Sequence, residues 1–160
     1  KTNKGDISIE LYANDSPKTV ENFLKLVNSG FYNGVKFHRV ISGFMIQAGD
    51  PLTKDDGAIN RWGTGGPGYT IPDELTSKQV YQEGYKAGVL AMANTGRPNS
   101  GGSQFFIMHK DYPLPPQYTI FGKVTSGMEV VNAIASVKTY MPGQVDRPLE
   151  NVVILKAEAN

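Results

Sequence analysis

Glycine and proline interrupt this chain so often, and so evenly, that little room is left between them for long regular elements. The 160 residues include 18 glycines and 10 prolines, more than one residue in six, whereas average usage is about 12%. Because the excess is spread along the whole chain, it does not indicate a disordered tract. Many tight turns between short apolar segments are typical of a β-rich fold. The length predicts a single domain over residues 1–160.

Apolar residues that recur at every second position predict the strands. Near the start, Ile7, Ile9 and Leu11 alternate with polar or amphipathic neighbours, as in a half-buried strand. Further strands are expected over 35–41, 44–48, 87–93, 103–108, 119–124 and 149–157. Strands joined by short turns favour an antiparallel sheet, and eight of them close into a barrel. We therefore predict a mainly β fold, an eight-stranded antiparallel closed barrel with two α-helices over its open ends.

Two segments have helical periodicity. The first opens at Ser16, the expected N-cap, followed by Pro17 at the first helical position. Its apolar stripe ends before Gly30, which is placed as a helix C-cap glycine. The second begins with a capping-box pattern at Ser126. The apolar stripes of the two helices are Val20, Phe23, Leu24 and Val27, and Met128, Val131, Ile134 and Ala135.

Composition argues against several classes of protein. Sixteen basic against 15 acidic residues leave a net charge of +1, which removes the electrostatic argument for binding nucleic acid or an anionic membrane. The longest apolar run, Val89 to Ala93, is far shorter than the roughly 20 residues of a membrane span. Without cysteine there is no disulfide, thiolate zinc site or cysteine nucleophile. His38 and His109 are too far apart in sequence to suggest a metal site. We predict neither a metal nor a cofactor.

One motif match is rejected. Residues 63–68, Gly-Thr-Gly-Gly-Pro-Gly, fit the dinucleotide-binding pattern G-x-G-x-x-G. That site needs a strand before the glycines and a helix after them. Here a loop precedes the glycines, and Pro67 and Pro72 argue against a helix. The interpretation is a flexible or tightly turning loop without a nucleotide.

Three segments combine apolar and hydrogen-bonding residues in an unusual way. Residues 37–50 read as a hairpin that carries an arginine, aromatics and a glutamine, and residues 92–96 end a strand in a turn. Residues 103–107 open another strand, in which Gln104 and Phe106 point to one face and Phe105 and Ile107 to the other. If Phe105 lies in the core, Phe106 lies on the opposite face beside Gln104.

These segments resemble the cyclophilins, the peptidyl-prolyl cis-trans isomerases. The resemblance extends from about Gly5 to Leu155, with the motifs in the family's order. It rests on F-H-R-V-I-x-G-F-M-I-Q-x-G-D from Phe37, S-Q-F-F-I from Ser103, the G-T-G-G loop and the M-A-N-x-G turn from Met92. The first helix and the stretch Phe121–Val124 also fit. The P-L-P-x-x-Y-T form from Pro113 is more similar to prokaryotic members.

The resemblance implies a site and a reaction. The catalytic residues would be Arg39, Gln47 and Phe44. The substrate-binding residues would be Met45, Ala93, Asn94, Gln104, Phe106, Leu114 and Tyr118. Many eukaryotic members have a tryptophan at the position of Pro113 and a histidine at that of Tyr118. Because the tryptophan position contacts cyclosporin A in the family, weakened cyclosporin A affinity is expected.

Rotation about an Xaa-Pro bond breaks no covalent bond and requires no nucleophile or proton relay. This reaction suits a chain that has no recognisable catalytic triad, metal site or cofactor motif. The expected partners are proline-containing peptides and unfolded proteins, with the protein acting as a monomeric, cytoplasmic folding catalyst, in the manner of a chaperone. The chain starts at Lys1, which predicts that an upstream segment has been removed; a targeting segment would have been there.

Two alternatives stay open at this point. The chain is read either as an active isomerase or as a module that binds proline motifs without relevant turnover. A small-ligand barrel of the lipocalin type would need a hollow interior, whereas Phe37, Phe105 and Phe121 are expected to fill it. Trp62 is placed either near the site or on the surface.

Overall fold

The computed structural model describes all 160 residues. It contains eight short strands and three α-helices, with two turns of 3-10 helix, Pro51–Lys54 and Asp56–Arg61, between the third strand and the second helix. The strands are β1 Ser8–Leu11, β2 Arg39–Ile41, β3 Met45–Ala48, β4 Val89–Met92, β5 Phe105–Met108, β6 Ile120–Ser126, β7 Thr139–Tyr140 and β8 Arg147–Pro148. The helices are α1 Pro17–Asn28, α2 Lys78–Glu83 and α3 Met128–Ala135.

The predicted mainly β, antiparallel architecture is confirmed. Six strands form one sheet in the order β1-β6-β4-β5-β3-β2, and β7 pairs with β8 in a separate hairpin. No ladder joins β1 directly to β2, so the closed barrel that we expected is not made by continuous pairing. Isolated bridges instead link the C-terminal segment to both edges, from Val153 to Lys36 and from Ile154 to Thr2.

Some predicted strand boundaries were wrong. The segment 149–157, expected to be a strand, makes only these isolated bridges, because its backbone alternates between partners on the two edges. The segment 35–41 is a regular strand only from Arg39. The strands β7 and β8, two residues each, were not predicted, since two residues are too few for a periodic pattern.

The helices are in the predicted places, with differences at their ends. Ser16 is the N-cap residue of α1 and Pro17 is its first residue, as predicted, but the Ser16 hydroxyl donates to Ile120 O at 2.7 Å and makes no capping hydrogen bond. Gly30 does end α1 in the left-handed conformation, with φ +74° and its N–H on Val27 O at 3.0 Å. The capping box at Ser126 was wrong, because Gly127 occupies the N-cap position and no side chain caps the helix. The short helix α2 was not predicted.

Apolar side chains alternate between the two faces of the six-stranded sheet. One face joins α1 and α3 in a core cluster of 20 buried residues that includes Phe37, Phe105 and Phe121. The other face carries a smaller cluster of six, which includes Met45 and Phe106. The predicted orientation of Phe105 towards the core and Phe106 away from it is therefore confirmed. No helix has the length and apolar character needed to cross a membrane.

Candidate active site

A row of side chains crosses four neighbouring strands on the face opposite the core. The ladder pairs Ala91 with Phe106, Phe106 with Gln47, and Gln47 with Arg39. Residues paired in this way project from the same face of the sheet. The row therefore places an aromatic ring, an amide and a guanidinium side by side, in that order towards the β2 edge.

A cleft of about 650 Å³ lies over this row. Nine of the ten predicted site residues line it: Arg39, Phe44, Met45, Gln47, Ala93, Asn94, Phe106, Leu114 and Tyr118. The tenth, Gln104, does not line the cleft but contacts Gln47. Aromatic packing holds the walls, with ring centroids 5.6 Å apart for Phe106 and Tyr118 and 4.4 Å apart for Phe44 and Tyr112. The floor is thus apolar and the β2 side is cationic.

Arg39 is held by a chain of amide hydrogen bonds. Its NH1 donates to Gln47 Oε1 at 3.3 Å, and Gln47 Nε2 donates to Gln104 Oε1 at 3.0 Å. Arg39 makes no ion pair with a carboxylate. Since a guanidinium carries five N–H donors, those that do not bond Gln47 remain free to face the cleft.

The glycine-rich loop sets the direction of this chain of amides. Gln104 Nε2 donates to Gly63 O at 2.9 Å and to Gly65 O at 2.8 Å. Because backbone carbonyls only accept, they orient the Gln104 amide, which in turn orients Gln47 so that its oxygen faces Arg39. The loop that resembles a nucleotide motif therefore serves the site as an acceptor of hydrogen bonds.

A buried carboxylate holds the loop in place. Asp50 is fully buried and accepts from Leu52 N at 2.8 Å and from Gly63 N at 2.5 Å. A Cβ on Gly65 would clash with the Asp50 Oδ1, so only glycine fits at that position. The sequence did not single out Asp50, because its partners lie in a loop with no periodic pattern.

The side chain of Asn94, a predicted substrate-binding residue, is already hydrogen-bonded within the chain. Its Nδ2 donates to Gln117 O at 3.0 Å and its Oδ1 accepts from Gly96 N at 2.9 Å. The backbone N–H and C=O of Asn94 have no partner within the chain. Asn94 can therefore offer an extended peptide its main chain, while its side chain braces the wall formed by residues 114–118.

Tyr85 holds the backbone of the same wall through hydrogen bonds to Tyr118. Its hydroxyl donates to Tyr118 O at 2.7 Å and accepts from Tyr118 N at 3.2 Å. Burial raises the pKa of Tyr85, so that the hydroxyl keeps its proton at all physiological pH values. This bond fixes the backbone of Tyr118, whose ring lines the cleft.

Several lining residues were missed by the sequence analysis: His38, Ile59, Asn60, Gly63, Tyr140, Met141, Val145 and Arg147. Six of them come from the second 3-10 turn and from the β7–β8 hairpin, where no periodicity pointed to them, whereas His38 directly precedes β2 and Gly63 opens the glycine-rich loop. Trp62 lies at the site, since it lines the cleft while its Nε1 donates to Asp55 O at 3.1 Å.

His38 is a buried neutral group beside Arg39. Burial lowers the pKa of His38 from 6.5 to about 4, with the neighbouring Asp50 acting in the opposite direction and Arg39 lowering it further. Its Nδ1 has no hydrogen-bond partner. At neutral pH the imidazole is uncharged, so the cleft keeps Arg39 as its central cation. No three His, Asp or Glu side chains are grouped so that they could hold a metal ion.

Comparison with known proteins agrees with this geometry. The family model described as cyclophilin type peptidyl-prolyl cis-trans isomerase/CLD matches residues 1–159. The peptidyl-prolyl cis-trans isomerase cypE of Dictyostelium discoideum is 43% identical, over 100% of this chain and 95% of its own length. Peptidyl-prolyl cis-trans isomerase B of Streptomyces anulatus is 44% identical, over 96% of this chain and 90% of its own length.

A solved structure has the same fold. The cyclophilin type isomerase of Cryptosporidium parvum, crystallised in the presence of the dipeptide Ala-Pro, superposes with a TM-score of 0.84 at 34% identity, covering 99% of this chain and 96% of that one. The family model spans nearly every residue, and the cleft carries the family's motifs on one face of the sheet. This chain therefore belongs to the cyclophilin-type family of peptidyl-prolyl cis-trans isomerases.

Proposed function

We propose that this isomerase accelerates rotation about Xaa-Pro bonds through Arg39, acting over an apolar pocket formed by Phe44, Met45, Phe106 and Leu114. The observation that carries the proposal is a guanidinium without an ion pair, held by Gln47, at the edge of that pocket. Such a group can donate a hydrogen bond to a bound peptide without first breaking a salt bridge.

The size of the barrier defines what the site must supply. Rotation about a peptide bond costs about 18–20 kcal/mol because amide resonance is lost, and uncatalysed Xaa-Pro exchange takes roughly tens to hundreds of seconds. An acceleration on the order of 10⁵-fold requires lowering the barrier by about 7 kcal/mol.

Arg39 contributes by binding the transition state more tightly than the ground state. At the twisted geometry the prolyl nitrogen regains its lone pair and becomes an acceptor, whereas in the planar amide that pair is delocalised. A guanidinium held in place by Gln47 donates to the nitrogen only in the twisted form. This is differential stabilisation by a preorganised donor.

The apolar pocket contributes through desolvation. A twisted amide is less polar than a planar one, so transfer from water into an apolar pocket is less costly for the twisted form. Phe44, Met45, Phe106 and Leu114 surround the space for the proline ring. The related Cryptosporidium parvum structure, obtained in the presence of Ala-Pro, supports an Xaa-Pro segment as the occupant.

The polypeptide around the proline binds through the backbone of Asn94. Its unpaired N–H and C=O match the pairing of an extended strand with a partner strand. This binding mode recognises the peptide backbone and the proline ring, and not the side chain of Xaa. Proline-containing segments of peptides and unfolded proteins are the proposed substrates, and folding assistance in the cytoplasm by a monomer is the proposed role. A cysteine-free composition supports a reducing compartment.

Cyclosporin A is proposed to bind with weakened affinity. Pro113 stands where the family's drug-contacting tryptophan is found in many eukaryotic members, and it is exposed. Isothermal titration of the drug into the wild type and a Pro113→Trp variant should show tighter binding in the variant.

The alternative functions make different predictions for one experiment. Exchange spectroscopy by NMR on a short Xaa-Pro peptide should show faster exchange with catalytic amounts of the chain, and a loss of about 10²–10³ in rate for Arg39→Ala. Peptide shifts without faster exchange would instead indicate a binding module.

The hollow ligand-binding barrel is not favoured. Phe37, Phe105 and Phe121 fill the interior of the main core. A second cavity of about 630 Å³ lies between β1, α1 and the chain ends, and Phe37 and Phe105 project into its lining and limit its depth.

A further inference from the structure

The β7–β8 hairpin forms one wall of the active-site cleft and carries an exposed apolar surface. Tyr140, Met141 and Val145 are 44%, 40% and 38% exposed, and all three line the same cleft as Arg39. They are three of the eight large apolar side chains that the chain exposes. We call these three side chains the hairpin patch. Apolar side chains grouped on an exposed surface indicate a contact site for another molecule.

The hairpin is attached to the outer edge of the site row. Val40 N, in the edge strand β2, donates to Asp146 O at 2.8 Å. The row of side chains that ends at Arg39 therefore continues by one more strand into the hairpin. A segment that crosses the strands from the proline pocket passes Arg39 first and then reaches the hairpin patch.

Hydrogen bonds within the hairpin tip define its conformation. Asp146 Oδ1 accepts from Gly143 N at 2.6 Å, and Val145 N donates to Met141 O at 2.9 Å. Met141 and Asp146 both adopt left-handed conformations, with φ +47° and +60°, which non-glycine residues rarely do. The Arg147 guanidinium lies over the Tyr140 ring at 4.8 Å. A preformed surface of this kind loses little conformational entropy on binding.

We propose that the hairpin patch is an outer substrate subsite, which binds an aliphatic or aromatic side chain of the same polypeptide whose proline occupies the Arg39 pocket. Strands in a sheet lie about 4.8 Å apart, so the three spacings from Phe106 to the hairpin cover about 14 Å. An extended chain advances about 3.3 Å per residue. The recognised side chain is therefore about four residues from the proline. The inference rests on the proposed function and adds to it a preference for apolar sequence at that distance.

The experiment compares extended and short substrates. The short probe is a blocked Ala-Ala-Pro-Ala peptide, and the extended probes are alanine-based peptides with leucine three or four residues before, or after, the proline. For the wild type, kcat/KM from NMR exchange should be about five-fold higher for one extended series than for an all-alanine peptide of the same length.

Two variants assign that gain to the hairpin. Met141→Asn introduces a polar residue that tolerates the left-handed φ at this position. Val145→Thr introduces a hydroxyl and keeps the side-chain shape. Both variants should bring the ratio of kcat/KM for the leucine peptide to that for the all-alanine peptide towards one. Leu149→Asn is the matched control, because Leu149 is 61% exposed beside the hairpin but does not line the cleft; it should leave the ratio unchanged. Circular dichroism of each variant should match that of the wild type.

Three results would overturn the inference: no leucine gain in either series, a gain that survives both hairpin variants, or a wild-type dimer that Met141→Asn dissociates in analytical ultracentrifugation. The last result would make the hairpin patch a contact between two copies. Failure to accelerate even the short peptide would count against the proposed function instead.

Discussion

Phe105 and Phe106 are neighbours in β5, and each is 5% exposed, yet they belong to different parts of the molecule. The Phe105 ring packs edge-on against Phe23 and Tyr32, with centroids 5.6 and 5.5 Å away, in the core cluster. The Phe106 ring faces Tyr118 and lines the cleft beside Gln47. Equal burial therefore conceals different surroundings: packed aromatic rings beside an apolar cavity on one face, and a cleft that also holds Arg39 and Gln47 on the other.

The two faces also treat polar groups differently. On the core face, apolar side chains pack against one another, and polar groups such as the Tyr32 hydroxyl and the Asn22 amide bond to backbone carbonyls. On the site face, Arg39, Gln47 and Gln104 form a connected series of hydrogen bonds that ends on the carbonyls of a loop. Such a network is costly to bury unless each member is satisfied. The fold thus separates stability on one face from chemistry on the other, and the following predictions test that separation.

The largest effect is expected on the core face. Phe105→Ala should lower the free energy of unfolding by about 3–5 kcal/mol, because it leaves a cavity among packed aromatic rings. Urea denaturation followed by circular dichroism measures this change. A loss of less than about 1 kcal/mol would show that the core face does not carry the stability.

The next effect concerns His38. Burial lowers the pKa of His38 from 6.5 to about 4, so between these pH values the unfolded chain binds a proton that the folded chain does not. Stability from this group is complete above about pH 6.5 and is lost as the pH falls towards 4, by about 3 kcal/mol in total. Urea unfolding at pH 7 and pH 4 should show a smaller decrease for His38→Gln than for the wild type. Equal decreases in the two proteins would contradict the burial of a neutral imidazole.

Removal of the Phe106 ring is expected to reduce stability less than removal of the Phe105 ring, and to reduce turnover more. Phe106→Ala should lower kcat/KM by about 10–100-fold, because the proline ring loses an apolar wall. Stability should fall by only about 1–2 kcal/mol, since the space left behind opens into the cleft and fills with water. If Phe105→Ala and Phe106→Ala lost stability equally and Phe106→Ala kept full activity, the two faces would not differ as described.

The smallest effect tests the chain of amides. Gln104→Glu replaces a donor by a carboxylate that can only accept, opposite Gly63 O and Gly65 O. Gln47 and Arg39 then lose their fixed orientation, and kcat/KM should fall by about 10-fold. Gln79→Glu, on the exposed surface of α2, makes the same charge change at a residue that does not line the cleft and should have no effect.

Local patterns predicted much of the fold. The alternation in residues 103–107 placed Phe105 and Phe106 on opposite faces, and the stripe before Gly30 placed α1, because both signals depend on neighbours in sequence. Ser16 occupies the predicted N-cap position, but its hydroxyl donates to Ile120 O, more than a hundred residues away, and does not cap the helix. The strand over 149–157 was wrong because its partners change along its length.

The residues of the site could be predicted from the sequence, but the hydrogen bonds that connect them could not. The resemblance to cyclophilins named Arg39, Gln47 and Gln104, but the bonds from Gln104 to Gly63 and Gly65 join residues about 40 positions apart. Asp50 and the hairpin patch had no periodic signal at all. Long-range hydrogen bonds and two-residue strands depend on tertiary packing, which one sequence does not display.

The most direct test of the account separates binding from turnover in Arg39→Ala. NMR titration with a short Xaa-Pro peptide gives Kd, and exchange spectroscopy at saturating protein gives the rotation rate within the complex. The account predicts that the bound rate falls by about 10²–10³ while Kd changes by less than about three-fold, because Arg39 acts on the twisted amide. A Kd that rises in proportion while the bound rate is unchanged would mean that Arg39 only holds the substrate, and the proposed mechanism would be wrong.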